Sequence, residues 1–224
     1  MRDALFAGLL MAAFGPVCAA GIQLPAGAGL NLGDGRLAMP CGDLLIEGRL
    51  AAGSVAVLGA RDVSIGPSGL LQGASAQLHV SGNWSNQGVF DAGSSSVVFE
   101  DGCRPVSTLS GDNRFYDLVF VSTTGKTFLL ESGRTQTVAH GLSVTGIPGQ
   151  PVILDSTAGD IPPAYLSLEP GAGHTLSDSI VRAGHIVMGG APIPTLSALS
   201  FLLLILAGLW AGGRALVRRN LAMA

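Results

Sequence analysis

Hydrophobic residues occupy alternate positions through most of this chain. Leu44 and Ile46 flank Leu45, Val55 and Val57 flank Ala56, and Val63 and Ile65 flank Ser64. The spacing recurs at Leu78/Val80, Val97/Phe99, Leu118/Phe120, Phe128/Leu130, Leu142/Val144, Val152/Leu154 and Leu166/Leu168. A period of two places one set of side chains on one face of a strand. The segments are short and recur at intervals of roughly 8–12 residues, which is the signature of an all-β domain. Turn signals separate them: Glu47-Gly48, Gly66-Pro67-Ser68-Gly69, Ala92-Gly93-Ser94, Asp101-Gly102, Ser132-Gly133 and Gly146-Ile147-Pro148-Gly149. No stretch between them has the spacing of an amphipathic helix.

Both ends break the pattern with apolar runs. Met1-Arg2 starts the chain, Leu5 to Phe14 is apolar, and Pro16-Val17-Cys18-Ala19-Ala20 follows. That order is a secretory signal, a helix spanning residues 1–20 with cleavage after Ala19 or Ala20. A lipoprotein site at Cys18 is the competing reading, but the leucine usual three positions upstream is missing. At the other end no residue from Ile193 to Gly213 is charged, and Arg214, Arg218 and Arg219 follow. A run of about 20 apolar residues is long enough for a transmembrane helix, and basic residues behind it mark the cytoplasmic side. The expected order is a signal (1–20), an all-β body (21–188), a linker (189–192), a membrane-spanning tail (193–219) and a short cytoplasmic end (220–224).

Ile193-Pro194-Thr195-Leu196, the span and the arginines together resemble the IPTL-CTERM sorting signal of Gram-negative envelope proteins. The family often continues Ser-Glu-Trp, where this chain has Ser197-Ala198-Leu199. The resemblance implies the following route. Signal peptidase and the export machinery deliver the chain, and the tail holds it transiently in the inner membrane. An exosortase-type membrane protease then reads the motif, and the body passes to the outer surface or extracellular matrix. A plain C-terminal anchor on a periplasmic protein is the alternative.

The two addresses inflate the hydrophobic fraction of 48%. The body between them is rich in Gly, Ser, Thr, Val and Leu, and its size of about 170 residues suits one domain with a substantial core. It holds 14 acidic and 8 basic residues, a balance of −6, and Lys126 is the only lysine in the chain. That sign is wrong for nucleic-acid binding.

Several strands restart alike: Asp62-Val63-Ser64-Ile65-Gly66, Leu78-His79-Val80-Ser81-Gly82 and Leu142-Ser143-Val144-Thr145-Gly146. The stretch from Ser81 to Gly146 also resembles bacterial secreted β-helix-like proteins. It contains the coil-like Gly82-to-Gly93 run, the strand at Ser96 to Phe99 and the strand at Phe115 to Phe120. The expectation is a right-handed parallel β-helix or solenoid-like body, with a β-sandwich as the alternative. Trp84, Phe90, Phe99, Phe115 and Phe120 would fill its interior. Periodicity weakens from Thr157 to Pro192, where Ile161-Pro162-Pro163 and Gly189-Gly190-Ala191-Pro192 act as breakers.

Candidate chemistry is sparse. Once Cys18 has left with the signal, Cys41 and Cys103 remain, an even number in an oxidising compartment. In strict register they would sit about three coils apart, ~14 Å, beyond the ~7 Å that a disulfide spans. A fold-back of the turn Asp101-Gly102-Cys103-Arg104-Pro105 would close that gap. Both outcomes stay open. His79, His140, His174 and His185 show no metal-ligand spacing, and His79 reads as outward and solvated. The carboxylates stand singly at turns, except the neighbours Glu100 and Asp101. Asn83-Trp84-Ser85 reads as a turn and Gly125-Lys126-Thr127 as a hairpin turn. No catalytic residue, metal or cofactor is expected. The functional expectation is a non-enzymatic envelope or matrix module whose Ser/Thr/Asn-rich faces contact exopolysaccharide. The rival is a carbohydrate-active β-helix lyase or hydrolase, which needs clustered carboxylates.

Overall fold

The computed structural model describes residues 21–189. The expected signal and its cleavage residues Ala19 and Ala20, residues 190–192, the motif Ile193–Leu196 and Arg214, Arg218 and Arg219 lie outside the described residues.

The described chain is a stack of β-coils. The first coil holds β1 (Ile22–Leu24), β2 (Gly29–Asn31) and β3 (Arg36–Ala38), and the second β4 (Leu44–Ile46), β5 (Arg49–Ala51) and β6 (Ala56–Ala60). The third holds β7 (Val63–Ile65), β8 (Leu70–Gln72) and β9 (Gln77–Val80), and the fourth β10 (Trp84–Asn86), β11 (Val89–Asp91) and β12 (Ser96–Phe99). Then come β13 (Val106–Ser110) with β14 (Asn113–Val121), and β15 (Thr127–Leu130) with β16 (Thr135–Thr145). The last turns are β17 (Val152–Ser156), β18 (Ala164–Leu168), β19 (Gly173–Ser177), β20 (Ser179–Val181) and β21 (Ile186–Gly189). Every pairing between these strands is parallel, as in a β-solenoid.

The strands stack into three sheets. One has eight strands, β1-β4-β7-β10-β13-β15-β17-β20, and a second has four, β2-β5-β8-β11. The third runs β3-β6-β9-β12-β14-β16-β18-β21, with β19 beside β16. β14 and β16 turn the corner between the second and third walls within one strand. Their register shifts between Phe115 and Asp117, the extra residue that lets a strand bend. The first half of β16 carries β18 and the second half carries β19.

Identical positions stack into interior ladders. Leu30 pairs with Leu50, Leu50 with Leu71, and Leu71 with Phe90 in the second sheet. Val57, Leu78, Val97, Leu118 and Leu142 form another ladder in the third. Trp84, Phe99, Phe115, Phe120 and Phe128 are wholly buried. Their rings meet at centroid distances of 5.4 Å for Phe99–Phe120 and 5.0 Å for Phe120–Phe128. Burying one such ring contributes about 2–3 kcal/mol. One polar chain runs through this interior. Trp84 Nε1 donates to Asn113 Oδ1 at 2.9 Å, Asn113 Nδ2 to Gln136 Oε1 at 2.8 Å, and Gln136 Nε2 to the Gly111 carbonyl at 2.9 Å. Buried polar groups require such partners.

Four local expectations are corrected. Asn83-Trp84-Ser85 is not a turn, because Trp84 and Ser85 lie in β10 and the indole fills the core. Gly125-Lys126-Thr127 is not a hairpin: it joins β14 to β15 at a coil corner, and those strands belong to different sheets. His79 is only half-exposed, because its Nδ1 lies 2.9 Å from a Glu100 carboxylate oxygen one rung away. Coiling also continues through the weakly periodic stretch, and β21 runs to Gly189, so that residue belongs to the body.

Candidate functional site

Cys41 and Cys103 form a disulfide, with Cα atoms 5.5 Å apart. The in-register distance fails as a guide because Cys103 leaves the register. Equivalent positions are 19 residues apart at Leu44 and Val63, 21 at Val63 and Trp84, and 25 at Trp84 and Leu109. The longer fourth coil carries the loop from Asp101 to Pro105, which doubles back over the earlier rungs. Arg104 clasps Asp62 with Nε at 2.8 Å and Nη2 at 2.5 Å, and Ser81 Oγ lies 2.9 Å from Cys103 Sγ. Beside them Arg61 pairs with Asp43. Burial opposes the charge on Asp62, but the Arg104 guanidinium and the Asn83 N–H outweigh it and hold the carboxyl below its ordinary range.

Lys126 secures the same strap from within. It is 3% exposed, and its Nζ donates to the carbonyls of Ser81 at 2.8 Å and Glu100 at 2.7 Å. Burial pushes the amine down to about 8, against the pull of Asp101 and Glu100. Asp101 accepts hydrogen bonds from the hydroxyls of Ser122, Thr123 and Thr124. The sequence offered no sign of this role for Lys126, since its two carbonyl partners lie 45 and 26 residues away in the chain.

Two open grooves lie outside the strap. One, of about 700 Å3, is lined by Ser85, Asn86, Gln87, Asp112, Glu131 and Arg134. Its acids are already engaged. Glu131 Oε2 accepts the Gly111 N–H at 2.7 Å, Asp112 Oδ1 accepts the Thr135 N–H at 2.8 Å, and Arg134 lies 3.1 Å from Asp112. The other groove, about 510 Å3 on the third sheet, is lined by Ser96, Asp117, His140, Ser143, His174 and Thr175. Asp117 is its one carboxylate, and its Oδ1 lies 2.8 Å from His140 Nδ1. The His140 ring stacks on Tyr116 at 4.6 Å. Among the described residues no hydroxyl bonds the other nitrogen of His140.

Elsewhere His185 Nδ1, at 2.6 Å, and Arg182 Nε, at 3.1 Å, share Asp155. Among the described residues no group of three or more His, Cys, Asp and Glu is placed to hold a metal ion. What the grooves offer chemically is hydroxyl, amide and carboxylate hydrogen bonding. The chain matches no protein-family model, and neither a curated protein nor a solved structure matches it.

Proposed function

We propose that this is an exported, non-enzymatic envelope or matrix protein whose β-solenoid body contacts extracellular polysaccharide. Its coil takes the right-handed sense usual for parallel crossovers. The tail supplies the address. Ile193-Pro194-Thr195-Leu196, the uncharged run and Arg214, Arg218 and Arg219 are read in the inner membrane by an exosortase-like protease, which releases the body outward. The N-terminal signal, cut after Ala19 or Ala20, brings the chain across. One observation carries the non-enzymatic reading: Asp112, Glu131 and Asp117, the carboxylates of the two grooves, are each held by a backbone N–H, an arginine or a histidine. A glycosidase instead needs two carboxyl groups free to act as acid and base across the scissile bond. Polysaccharide contact rests on the polar linings of the same grooves.

The test is fractionation of native cells with mass spectrometry of the mature C-terminus. A C-terminus before the uncharged run supports sorting, and an intact Ala224 in the inner-membrane fraction overturns it. Pull-down on purified exopolysaccharide tests the second half; failure to bind any envelope polymer removes it.

A further inference from the structure

The corner where β14 and β16 pass from the second wall to the third sets two rings outside the register. Phe115 pairs with Val138 and Asp117 with Gly141, which leaves Tyr116 on one strand and Ala139 and His140 on the other between those pairs. Such irregularities re-aim side chains. Here the His140 ring lies parallel to Tyr116 within 7°, at 4.6 Å, and its Nδ1 is 2.8 Å from Asp117 Oδ1. A carboxylate only accepts, so Nδ1 carries the hydrogen. Among the described residues no group bonds Asp117 Oδ2.

The groove of about 510 Å3 beside this pair runs along the stack. Ser96, Asp117, Gly141 and Gly173 are register partners on four successive rungs, so it spans three rung spacings, about 14 Å. Its floor is low where the glycines stand. A Cβ on Gly141 would lie 2.7 Å from Asp117 Oδ1, and one on Gly173 would meet nothing within 4 Å. Val119, Ser143 and Thr175, also in register, form one side and His140 the other.

Charge selects what can lie there. No lysine or arginine lines this groove, whereas Arg134 lines the other. A uronate or sulfate would find no guanidinium or ammonium to pair with, and the body's balance of −6 repels a polyanion. An ammonium would find the Asp117 carboxylate, with Oδ1 held by His140 and Oδ2 left to accept. The Ser143 and Thr175 hydroxyls serve the sugar hydroxyls alongside. We infer that this groove takes a linear polysaccharide bearing free amines, an amino-sugar polymer laid along the stack with one ammonium on Asp117 Oδ2. This rests on the proposed polysaccharide contact and names the class of polymer.

The experiment is calorimetric titration of the full chain, native disulfide intact, in non-ionic detergent, at a pH that keeps the sugar amines charged. The probes are oligomers of equal length: glucosamine, N-acetylglucosamine and a uronate. The glucosamine oligomer should bind about tenfold or more tightly than either other probe, and added salt should weaken it. Asp117→Asn should abolish that preference. Gly173→Leu adds a side chain where a Cβ meets nothing, so the fold tolerates it, and it should block the groove and weaken binding by a similar factor. A preference that Asp117→Asn leaves unchanged, or equal or tighter binding of the N-acetylated or uronate probe, overturns the amine selectivity and leaves polysaccharide contact standing. Failure of all three probes beside binding of purified exopolysaccharide does the same. Tight binding that survives Gly173→Leu overturns this groove as the seat. Failure of every probe and of the exopolysaccharide removes the underlying reading as well.

Discussion

Cys41 and Cys103 are separated by three rungs of the stack, yet their Cα atoms lie 5.5 Å apart. The loop that brings them together runs against the direction of coiling. It ties the first coil to the fourth in a structure whose pairings otherwise join neighbouring rungs. Closing a loop across 62 positions is expected to stabilise the fold by about 2–4 kcal/mol. The Cys41→Ala/Cys103→Ala variant should lose that much unfolding free energy and show a correspondingly lower urea midpoint. A reducing agent should lower the wild-type midpoint equally and leave the variant unmoved.

Lys126 makes stability depend on alkaline pH. Its amine titrates near 10.5 when unfolded and near 8 in place. Between those values the unfolded chain holds more proton, so stability rises as pH climbs from 8 to 10.5, by about 1–3 kcal/mol. A neutral amine keeps two N–H groups, enough for the Ser81 and Glu100 carbonyls. Urea midpoints measured across this range should climb for the wild type and stay flatter for Lys126→Met. The variant is also expected to be less stable near pH 7, because the two carbonyls lose their donor.

Replacing Asn113 by Leu cuts the interior polar chain at its middle. The indole N–H of Trp84 and the amide oxygen of Gln136 are both left without their partner. Each orphaned buried group costs about 1–3 kcal/mol. Denaturation should therefore report a loss of several kcal/mol, well above that of Asn86→Ala at a half-exposed site.

Gly88 sits where the coil corners stack, and a Cβ there would run into the carbonyl oxygens of Gly66 and Gly69 in the rung below. Gly88→Ala should cost about 2 kcal/mol or more through backbone displacement. Gly29→Ala, where a Cβ meets nothing, should cost far less; equal midpoints would contradict this.

Replacing Pro194 should leave export intact and strand the chain in the inner membrane. Cell fractionation checks this: a normally released variant would remove the motif from the sorting reading.

Much of the coil was legible in the sequence because its longer strands put two or more inward side chains in a row, as at Val97 and Phe99. The three-residue strands of the second sheet were not. Gly29–Asn31 and Leu70–Gln72 each contribute one inward residue, Leu30 and Leu71, and a single residue has no period. The last coil was obscured because β19 carries His174 and Leu176 at its inward positions and is exposed throughout. The strap was invisible for a different reason. Arg104 finds Asp62, and Lys126 finds the Ser81 carbonyl, only after the rungs are stacked. Spacing along the chain contains no record of a loop that folds back over finished coils.

That strap also sets how the molecule bears load. Each rung is held to its neighbour by a few parallel hydrogen bonds, so tension on the two chain ends would peel coils away one at a time at modest force. Peeling from the C-terminal side meets no covalent barrier until Cys103. Beyond it, the 62 positions back to Cys41 are bypassed by the disulfide and add almost nothing to the extended length. Under pulling, the oxidised protein should lengthen by about 200 Å less than the reduced one, at roughly 3.3–3.6 Å per residue. The first four coils thus form a mechanical stop in a structure that otherwise unwinds like thread.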